Sequence, residues 1–350
     1  MNVHPLYIHR CIELARLGAG NVAPNPMVGA VLVYDDTIIG EGYHQQYGQA
    51  HAEVNCINSV TESNRHLIAY GTLYVSLEPC AHYGKTPPCA DLVIRSGIRK
   101  VVIGCRDPFE LVNGKGVEKL IAANIDVVIG VLEKECIALN KRFFTFHQQK
   151  RPYVTLKWAE SSNKMIGGFE GSQVNISNYI SDRLVHKWRS EEAGILIGTN
   201  TALNDDPQLT NRLWIGKSPV RLVVDLNLRL PNNLKIFDGS QPTIIFNYEQ
   251  QKQNGLTSYQ KLLTSEPVCK QILSACYSLH ITSVLIEGGA QTLQTFINEG
   301  LWDDARVICN NDLILDGGVA SPILEGYKLV KKEHYLNDTI SYFEPADAAL

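Results

Sequence analysis

Two consecutive α/β domains are the architecture this sequence predicts, and three observations predict it. Short β-branched runs alternate with helical stretches along the chain, a rhythm that gives largely parallel sheets covered on both faces. A polar stretch, His147-Gln148-Gln149-Lys150-Arg151-Pro152, separates two such series and reads as a linker. The length, 350 residues, is long for one core and comfortable for two. The expected domains are residues 1–147 and 151–350.

In the first series the alternation of His, Arg and Glu with apolar residues predicts an amphipathic helix over 6–17, stopped near Gly18 and Gly20. Its charges exclude a signal peptide. A loop with Pro24-Asn25-Pro26 follows, then strands at 29–34 and 38–43 joined by an Asp35-Asp36 turn. A helix start carries His51 and Glu53, and a strand at 73–77 leads into Pro79-Cys80. Strands at 100–104 and 127–131 flank a helical stretch at 116–123, and a helix over 133–146 ends the series. In the second series strands are expected at 153–157, 194–198, 220–225, 243–246, 284–287 and 306–309. Helices are expected at 178–189 and 291–299. The run 249–261, rich in Gln and Lys, reads as a solvated surface excursion.

Composition narrows the function. With 45% hydrophobic and 19% charged residues the chain is ordinary for a globular protein. A net charge of −4 leaves no basic footprint for nucleic acid. No apolar stretch reaches the length of a membrane span. Nine scattered cysteines, an odd number, fit a reducing cytoplasm in which two thiols hold metal and the rest are buried.

The chemistry-bearing pattern is His51-Ala-Glu53, then Pro79-Cys80, then Cys89. A lone histidine or a buried cysteine is usually structural. The ordered set HxE, PC and a further Cys is specific to zinc-dependent base deaminases. Catalytic zinc takes three protein ligands, here His51, Cys80 and Cys89. Glu53 is not a ligand and is the residue placed to carry a proton to the ring nitrogen. Positions i and i+2 do not share a helix stripe, so His51 and Glu53 are expected to straddle a helix start. A second helix start after Pro79 is expected to favour the Cys80 thiolate. Eight residues separate the cysteines where two are commonest, and Pro87-Pro88 keep them off one helical turn. That insert brings His82 and Lys85 to the rim of the metal pocket, where lysine suits a phosphate.

The second series has no GxGxxG. Its strand-turn-helix signal is Val284-Leu285-Ile286-Glu287-Gly288-Gly289-Ala290-Gln291-Thr292, whose helix start suits a cofactor phosphate, although glycines are common at any such turn. Asn204-Asp205-Asp206-Pro207 is a plain loop signal.

The phrase EPCAHYGKTPPC, with PNPMVG upstream and RDP downstream, resembles the bifunctional riboflavin-biosynthesis deaminase/reductase family, RibD. Similar stretches in the second half are LKWAES, HKWRSEEAGILIGTNTALNDDPQLTNR and IEGGAQTL. The resemblance implies a cytidine-deaminase-like mixed sheet with helices on both faces, followed by a dihydrofolate-reductase-like α/β domain. It implies zinc, one ion per chain, and NADPH. The substrate implied is a 2,5-diamino-6-ribosylamino-pyrimidinone phosphate, deaminated and then reduced from ribosyl to ribityl.

Carried over by position, Asn25, His44, Lys85 and Asp107 meet the deaminase substrate. Ala159, Asn175, Thr201, Asp205, Gly289, Ala290, Gln291 and Thr292 fall where the family holds NADPH. Gln173, Arg189, Leu209 and Arg212 fall where it holds the second substrate, the arginines suiting its phosphate. Lys157 and Glu287 fall at the reduction centre, and Glu287 also meets substrate.

The chain departs from the family's pattern at several positions. Ser161-Ser162-Asn163-Lys164-Met165-Ile166 replaces the usual Ser-Leu-Asp-Gly-Lys-Ile, Asn175 a tryptophan and Gln173 a serine. The stretch Asn175-Ile176-Ser177-Asn178 thus departs at both ends, and Phe109 replaces an asparagine. Two other readings stay open: a second domain that is non-catalytic, and a nucleic-acid editing deaminase, which the acidic balance opposes. A small-molecule substrate, no nucleic acid and no membrane are expected, and a homo-oligomer is left open.

Overall fold

The structure, a computed structural model, describes residues 4–83, 87–110, 112–169, 172 and 174–346. The chain divides into two compact units, residues 1–150 and 151–349.

The first unit runs α1 (Pro5–Arg16), β1 (Gly29–Tyr34), β2 (Thr37–Tyr43), α2 (Ala52–Asn58), a 3-10 segment (Glu62–Tyr70), β3 (Thr72–Leu77), α3 (Cys89–Arg95), β4 (Lys100–Cys105), α4 (Lys115–Ala122), β5 (Asp126–Ile129), α5 (Glu133–Leu139) and α6 (Lys141–Gln149). Sheet order is β2-β1-β3-β4-β5. β1 is antiparallel to both β2 and β3, while β3, β4 and β5 are parallel. The mixture follows from the connections. Asp35 and Asp36 both take positive φ (46° and 56°) and close a two-residue hairpin. β3, β4 and β5 are joined through helices, as parallel neighbours require.

The period-2 alternation of the strands sorts their side chains onto two faces. Leu32, Leu73, Val75, Val101 and Ile103 pack with Ala52, Val93, Val117 and Leu120 from α2, α3 and α4. Val31, Val33, Tyr74 and Val102 pack with Ile8, Ile12, Cys136 and Phe144 from α1, α5 and α6. Each large side chain buried this way contributes roughly 1.5–3 kcal/mol.

The second unit runs β6 (Tyr153–Ser161), β7 (Met165–Gly167), α7 (Tyr179–Glu191), β8 (Gly194–Gly198), α8 (Thr199–Asp205), β9 (Val220–Val224), a 3-10 segment (Lys235–Phe237), β10 (Thr243–Asn247), β11 (Lys252–Asn254), β12 (Thr257–Lys261), α9 (Val268–Ser278), β13 (Ser283–Ile286), α10 (Ala290–Asn298), β14 (Asp304–Asn310), β15 (Val319–Ala320), β16 (Tyr327–Tyr335) and β17 (Asp338–Pro345). The main sheet has the order β11-β12-β10-β9-β8-β13-β6-β14-β17-β16. It is parallel from β12 through β14 and antiparallel at both edges. β8 and β13 are buried at every position, as strands covered on two faces must be. β7 and β15 form a separate two-stranded pair.

Four expectations change. The helix expected over 133–146 is two helices broken at Asn140, which leaves helical geometry (φ −112°, ψ 27°). Its amide is claimed elsewhere, accepting from Met27 N and donating to Met27 O, both at 2.8 Å. Part of the expected linker is helical, because α6 continues to Gln149. The 249–261 run forms β11 and β12, and β12 extends the sheet beside β10. The Asn204-Asp205 loop signal is the end of α8, whose turn closes at Asp206 with φ 39°. Among the described residues no helix is long and apolar enough to cross a membrane.

Candidate functional site

In the first unit β3 and β4 deliver two loops to one edge of the sheet. His51 caps the start of α2 with extended backbone, and Glu53 lies in its first turn, as the i, i+2 spacing predicts. Cys80 stands three residues past β3, and Cys89 opens α3 behind Pro88. The helix start expected after Pro79 therefore belongs to Cys89 instead, whose backbone N–H donates to Cys80 Sγ at 3.3 Å.

The three donor atoms lie within 4.8 Å of one another. His51 Nδ1 is 3.6 Å from Cys80 Sγ and 3.3 Å from Cys89 Sγ. Tetrahedral zinc bonds of about 2.3 Å to sulfur and 2.0–2.1 Å to nitrogen set ligand atoms about 3.6 Å apart, so the donor set fits the ion.

The two thiols share one environment. The Cys89 thiol and His51 hold Cys80 well below the usual thiol range, and Cys80 together with burial holds Cys89 well above it. Glu53 is buried beside them, and burial followed by the Cys80 charge pushes its carboxyl up. A carboxyl in that state takes up and returns protons readily.

His44 stacks edge-on against His51, ring centroids 5.2 Å apart. Its Nδ1 is 3.1 Å from Ala50 O and its Nε2 is 3.2 Å from the Asn25 amide. Burial lowers its pKa, and a carbonyl oxygen at Nδ1 with an amide nitrogen at Nε2 suits the tautomer that donates from Nδ1 and accepts at Nε2. Asn25 and His44 are thus brought together near the donor set. Asp107 is buried, its carboxyl pushed up to about 7 by burial, and its Oδ1 accepts from Phe109 N at 2.8 Å. Lys85 and Gln173 lie outside the described residues. Phe109 stacks between His82 and His147, with centroids at 5.8 and 4.8 Å.

Glu78 was not singled out by the sequence, although it sits two residues before Cys80 in the EPC phrase. Its buried carboxylate accepts four backbone N–H bonds: Oε1 from Gly116 (3.0 Å) and Val117 (3.2 Å), Oε2 from Asp107 (3.3 Å) and Gly114 (3.1 Å). It fixes the Asp107 loop and the start of α4 to the cysteine loop. Gly116 is required there, since an added Cβ would run into the Pro79 carbonyl oxygen.

In the second unit a cavity of about 900 Å³ follows the carboxyl ends of β6, β13, β8 and β9. Lys157, Ala159, Asn175, Thr201, Asp205 and Glu287 line it, as does the turn Gly289-Ala290-Gln291-Thr292. Gly289 caps α10 with φ 73° and no capping side chain. A Cβ on Gly198 would reach Thr292 Oγ1 at 2.6 Å, and one on Gly289 would reach Thr201 Oγ1 at 3.1 Å. The glycines hold open a cradle at a helix start that carries no acid, which suits an anionic cofactor.

Beside the cradle, Glu287 receives two bonds from Arg189 (2.8 and 2.7 Å) and lies 3.7 Å from Lys157 Nζ. Burial works against the Glu287 charge, but Arg189 and Lys157 outweigh it and hold the carboxyl down at about 2. Burial lowers Lys157, with Glu287 opposing. Arg189, Leu209 and Arg212 do not line the cavity. Arg189 reaches it through Glu287 and bonds Thr210 O at 3.1 Å. Leu209 is a core residue at φ 53°, and Arg212 is exposed, bonded to Gln208 and Thr210. His186, three residues before Arg189 on the same helix face, accepts from Arg212 N at 2.9 Å and was legible only through that spacing.

Three of the departures from the family pattern, Asn163, Lys164 and Asn178, have partners. Asn163 receives from Ser161 Oγ (2.7 Å) and bonds Leu315 through both amide ends. Lys164 pairs with buried Glu160. Asn178 caps α7 and donates to Tyr335 O.

Comparison with known proteins places both halves. Residues 152–335 match the profile described as RibD C-terminal domain, and residues 1–105 match the cytidine and deoxycytidylate deaminase zinc-binding region. The riboflavin biosynthesis protein RibD of Aquifex aeolicus is 38% identical over 97% of both chains. That of Bacillus amyloliquefaciens is 39% identical over 95% of this chain and 91% of its own. The crystal structure of a diaminohydroxyphosphoribosylaminopyrimidine deaminase/5-amino-6-(5-phosphoribosylamino)uracil reductase from Thermotoga maritima superposes with a TM-score of 0.88 at 35% identity, covering 97% of this chain and 98% of that one.

Proposed function

The chain belongs to the RibD family of riboflavin-biosynthesis enzymes, with a deaminase and a reductase domain, and we propose roles for its residues in both reactions. Residues 1–147 carry the deaminase and 151–350 the reductase. The substrates are those in the name of the Thermotoga maritima enzyme: a diaminopyrimidine ribosyl phosphate is deaminated and the resulting aminouracil is reduced.

His51, Cys80 and Cys89 would hold zinc, which when bound would make a nucleophile of water at neutral pH. Glu53 would accept the proton released as water attacks the ring carbon and pass it to the ring nitrogen, and would then carry the remaining hydroxyl proton to the amino group, which leaves as ammonia. Asn25 and His44 orient the base. Lys85 and Asp107 meet the ribose phosphate region. The close approach of the three donor atoms beside buried Glu53 carries this reading.

In the second unit Ala159, Asn175, Thr201, Asp205 and the Gly289-Ala290-Gln291-Thr292 turn would hold NADPH, which when bound would supply the hydride for reduction at the ribose C1′. Lys157 gives the proton to the sugar ring oxygen as the C1′–oxygen bond opens. Glu287, held ionised by Arg189, positions Lys157 and contacts substrate. Arg189 and Arg212 bracket the segment on which Leu209 lies, and these residues, together with Gln173 by its place in the sequence, would hold the second substrate, the arginines taking its phosphate. Nine free thiols, seven of them buried, support a reducing, cytoplasmic setting.

The test is incubation with the diaminopyrimidine phosphate, with and without NADPH, followed by mass analysis. Deamination adds about one mass unit, because an amino group becomes a hydroxyl. Reduction adds about two more. The Glu53→Gln variant should keep its metal and lose ammonia release; undiminished release would remove Glu53 from the mechanism.

A further inference from the structure

The segment from Gln208 to Arg212 is strained and yet pinned along its backbone. Leu209 holds φ 53°, in the left-handed region that residues other than glycine rarely adopt, and its side chain is 3% exposed in the core. Such a conformation persists only where the surroundings over-determine it. Here side chains from outside the segment do so. Arg221 Nε donates to Gln208 O at 2.9 Å, and Arg189 Nη1 donates to Thr210 O at 3.1 Å. Asn211 N donates to Ser218 Oγ at 2.9 Å, and Arg212 N donates to His186 Nδ1 at 2.9 Å.

What these clamps hold in place is the Arg212 fork. Its Nη1 is taken by Gln208 Oε1 at 3.0 Å and Thr210 Oγ1 at 2.7 Å. Its Nε and Nη2 have no partner among the described residues. Those two nitrogens donate in parallel from one edge of the guanidinium, the geometry that meets a pair of phosphate oxygens. Arg189 ties the same segment to the reduction centre, since its Nε and Nη2 lock onto Glu287 while its Nη1 holds Thr210.

His186 lies one helical turn before Arg189 on α7 and is buried. A backbone N–H only donates, so the Nδ1 that meets Arg212 N carries no proton. Burial, then the charges of Arg189 and Arg212, lower the ring's pKa to about 4, which keeps it neutral near pH 7. A protonated ring would lose the acceptor and set a third positive charge beside the two arginines.

We propose that His186 is a positioning residue for the reduction: its Nδ1 fixes the backbone at Arg212 and so aims the guanidinium at the phosphate of the second substrate. The inference rests on the reading that gives that phosphate to Arg189 and Arg212.

Steady-state reduction by the full chain at saturating NADPH, with the aminouracil ribosyl phosphate and with its dephosphorylated counterpart, is the test. His186→Asn puts an amide oxygen about where Nδ1 stands, whereas His186→Gln puts its amide about where Nε2 stands. His186→Gln and His186→Ala should raise KM for the phosphorylated substrate about 10-fold, the size of a weakened charge-assisted contact. Their kcat, and their kcat/KM for the dephosphorylated substrate, should stay within about twofold of wild type. His186→Asn should restore the wild-type KM. Where the alanine variant does not fold, the Asn and Gln pair decides alone. Asn no better than Gln, or an equal loss with both substrates, overturns the role of His186 and leaves the phosphate reading standing. Wild-type protein without a preference for the phosphorylated substrate, or with one that Arg212→Ala leaves intact, overturns the phosphate reading and the inference with it.

Discussion

Replacing Glu78 by glutamine tests how the metal site is held. The substitution keeps the shape of the side chain and changes only what it offers. The carboxylate now accepts two backbone N–H bonds at each oxygen. An amide accepts at one oxygen and presents N–H donors where the other stood. Two backbone donors then lose their partner, at about 1–3 kcal/mol each. The other two bonds fall from charge-assisted to neutral, at about 1 kcal/mol each. The sum is about 4 kcal/mol at its lower bound. For a unit of 150 residues, each kcal/mol moves the midpoint by about 2–4 °C, so the first unit should melt at least about 8 °C lower. Scanning calorimetry of the full chain reads this, because added NADPH raises the transition of the unit that binds it and identifies the other. Zinc retention should fall as well, since Glu78 ties the Asp107 loop to the segment bearing Cys80. A transition within about 2 °C of wild type would refute the view that this carboxylate organises the site.

Three more outcomes follow from the same structure. The Glu287 carboxyl is held at about 2, below its ordinary value of 4.5, so between those pH values the unfolded chain binds more protons and stability rises with pH. Its contribution, on the order of 3 kcal/mol, is complete above pH 4.5 and is lost as pH falls toward 2; denaturant midpoints across acid pH should show this, and Arg189→Met should flatten the slope. Metal chelation should abolish ammonia release, expose the Cys80 and Cys89 thiols to alkylation and leave NADPH-dependent reduction intact, so deamination surviving in metal-free protein would eliminate the zinc assignment. Arg221, fully buried, bonds Gln208 O, Ile236 O, Asp238 and Ser240; Arg221→Met should cost about 3 kcal/mol or more in urea unfolding, and a loss below about 1 kcal/mol would contradict its role as a clamp.

What could be read from the sequence depended on how local the cause was. Strands such as Gly29–Tyr34 and Gly194–Gly198 appear where β-branched runs place them, because their burial follows from their own composition. His51 and Glu53 straddle the helix start for a reason contained in three residues. The break at Asn140 was hidden because its cause is Met27, more than a hundred residues away. β12 was hidden because a polar strand forms when a neighbour such as β10 offers an open edge, whatever its own hydrophobicity. Glu78 and Asp225 were overlooked for a related reason: a buried carboxylate serving backbone N–H groups leaves no periodic trace in sequence. The departures at Asn163 and Asn178 read as losses in one dimension, whereas each amide has found partners on distant loops.

Both units place their chemistry at the carboxyl ends of parallel strands, yet they treat the helix starts gathered there in opposite ways. Parallel neighbours send successive loops to one edge, and each following helix begins with unpaired N–H groups. In the first unit those of α4 are taken by Glu78, so the edge is already neutralised from within. What remains for a ligand is the imidazole and the two sulfurs, a donor set for a cation. In the second unit α10 starts behind Gly289 with neither a capping side chain nor an acid in its first turn. Its N–H groups stay available to an anion from outside. One internal carboxylate, present at Glu78 and missing at the start of α10, thus separates an edge suited to a metal ion from an edge suited to a pyrophosphate.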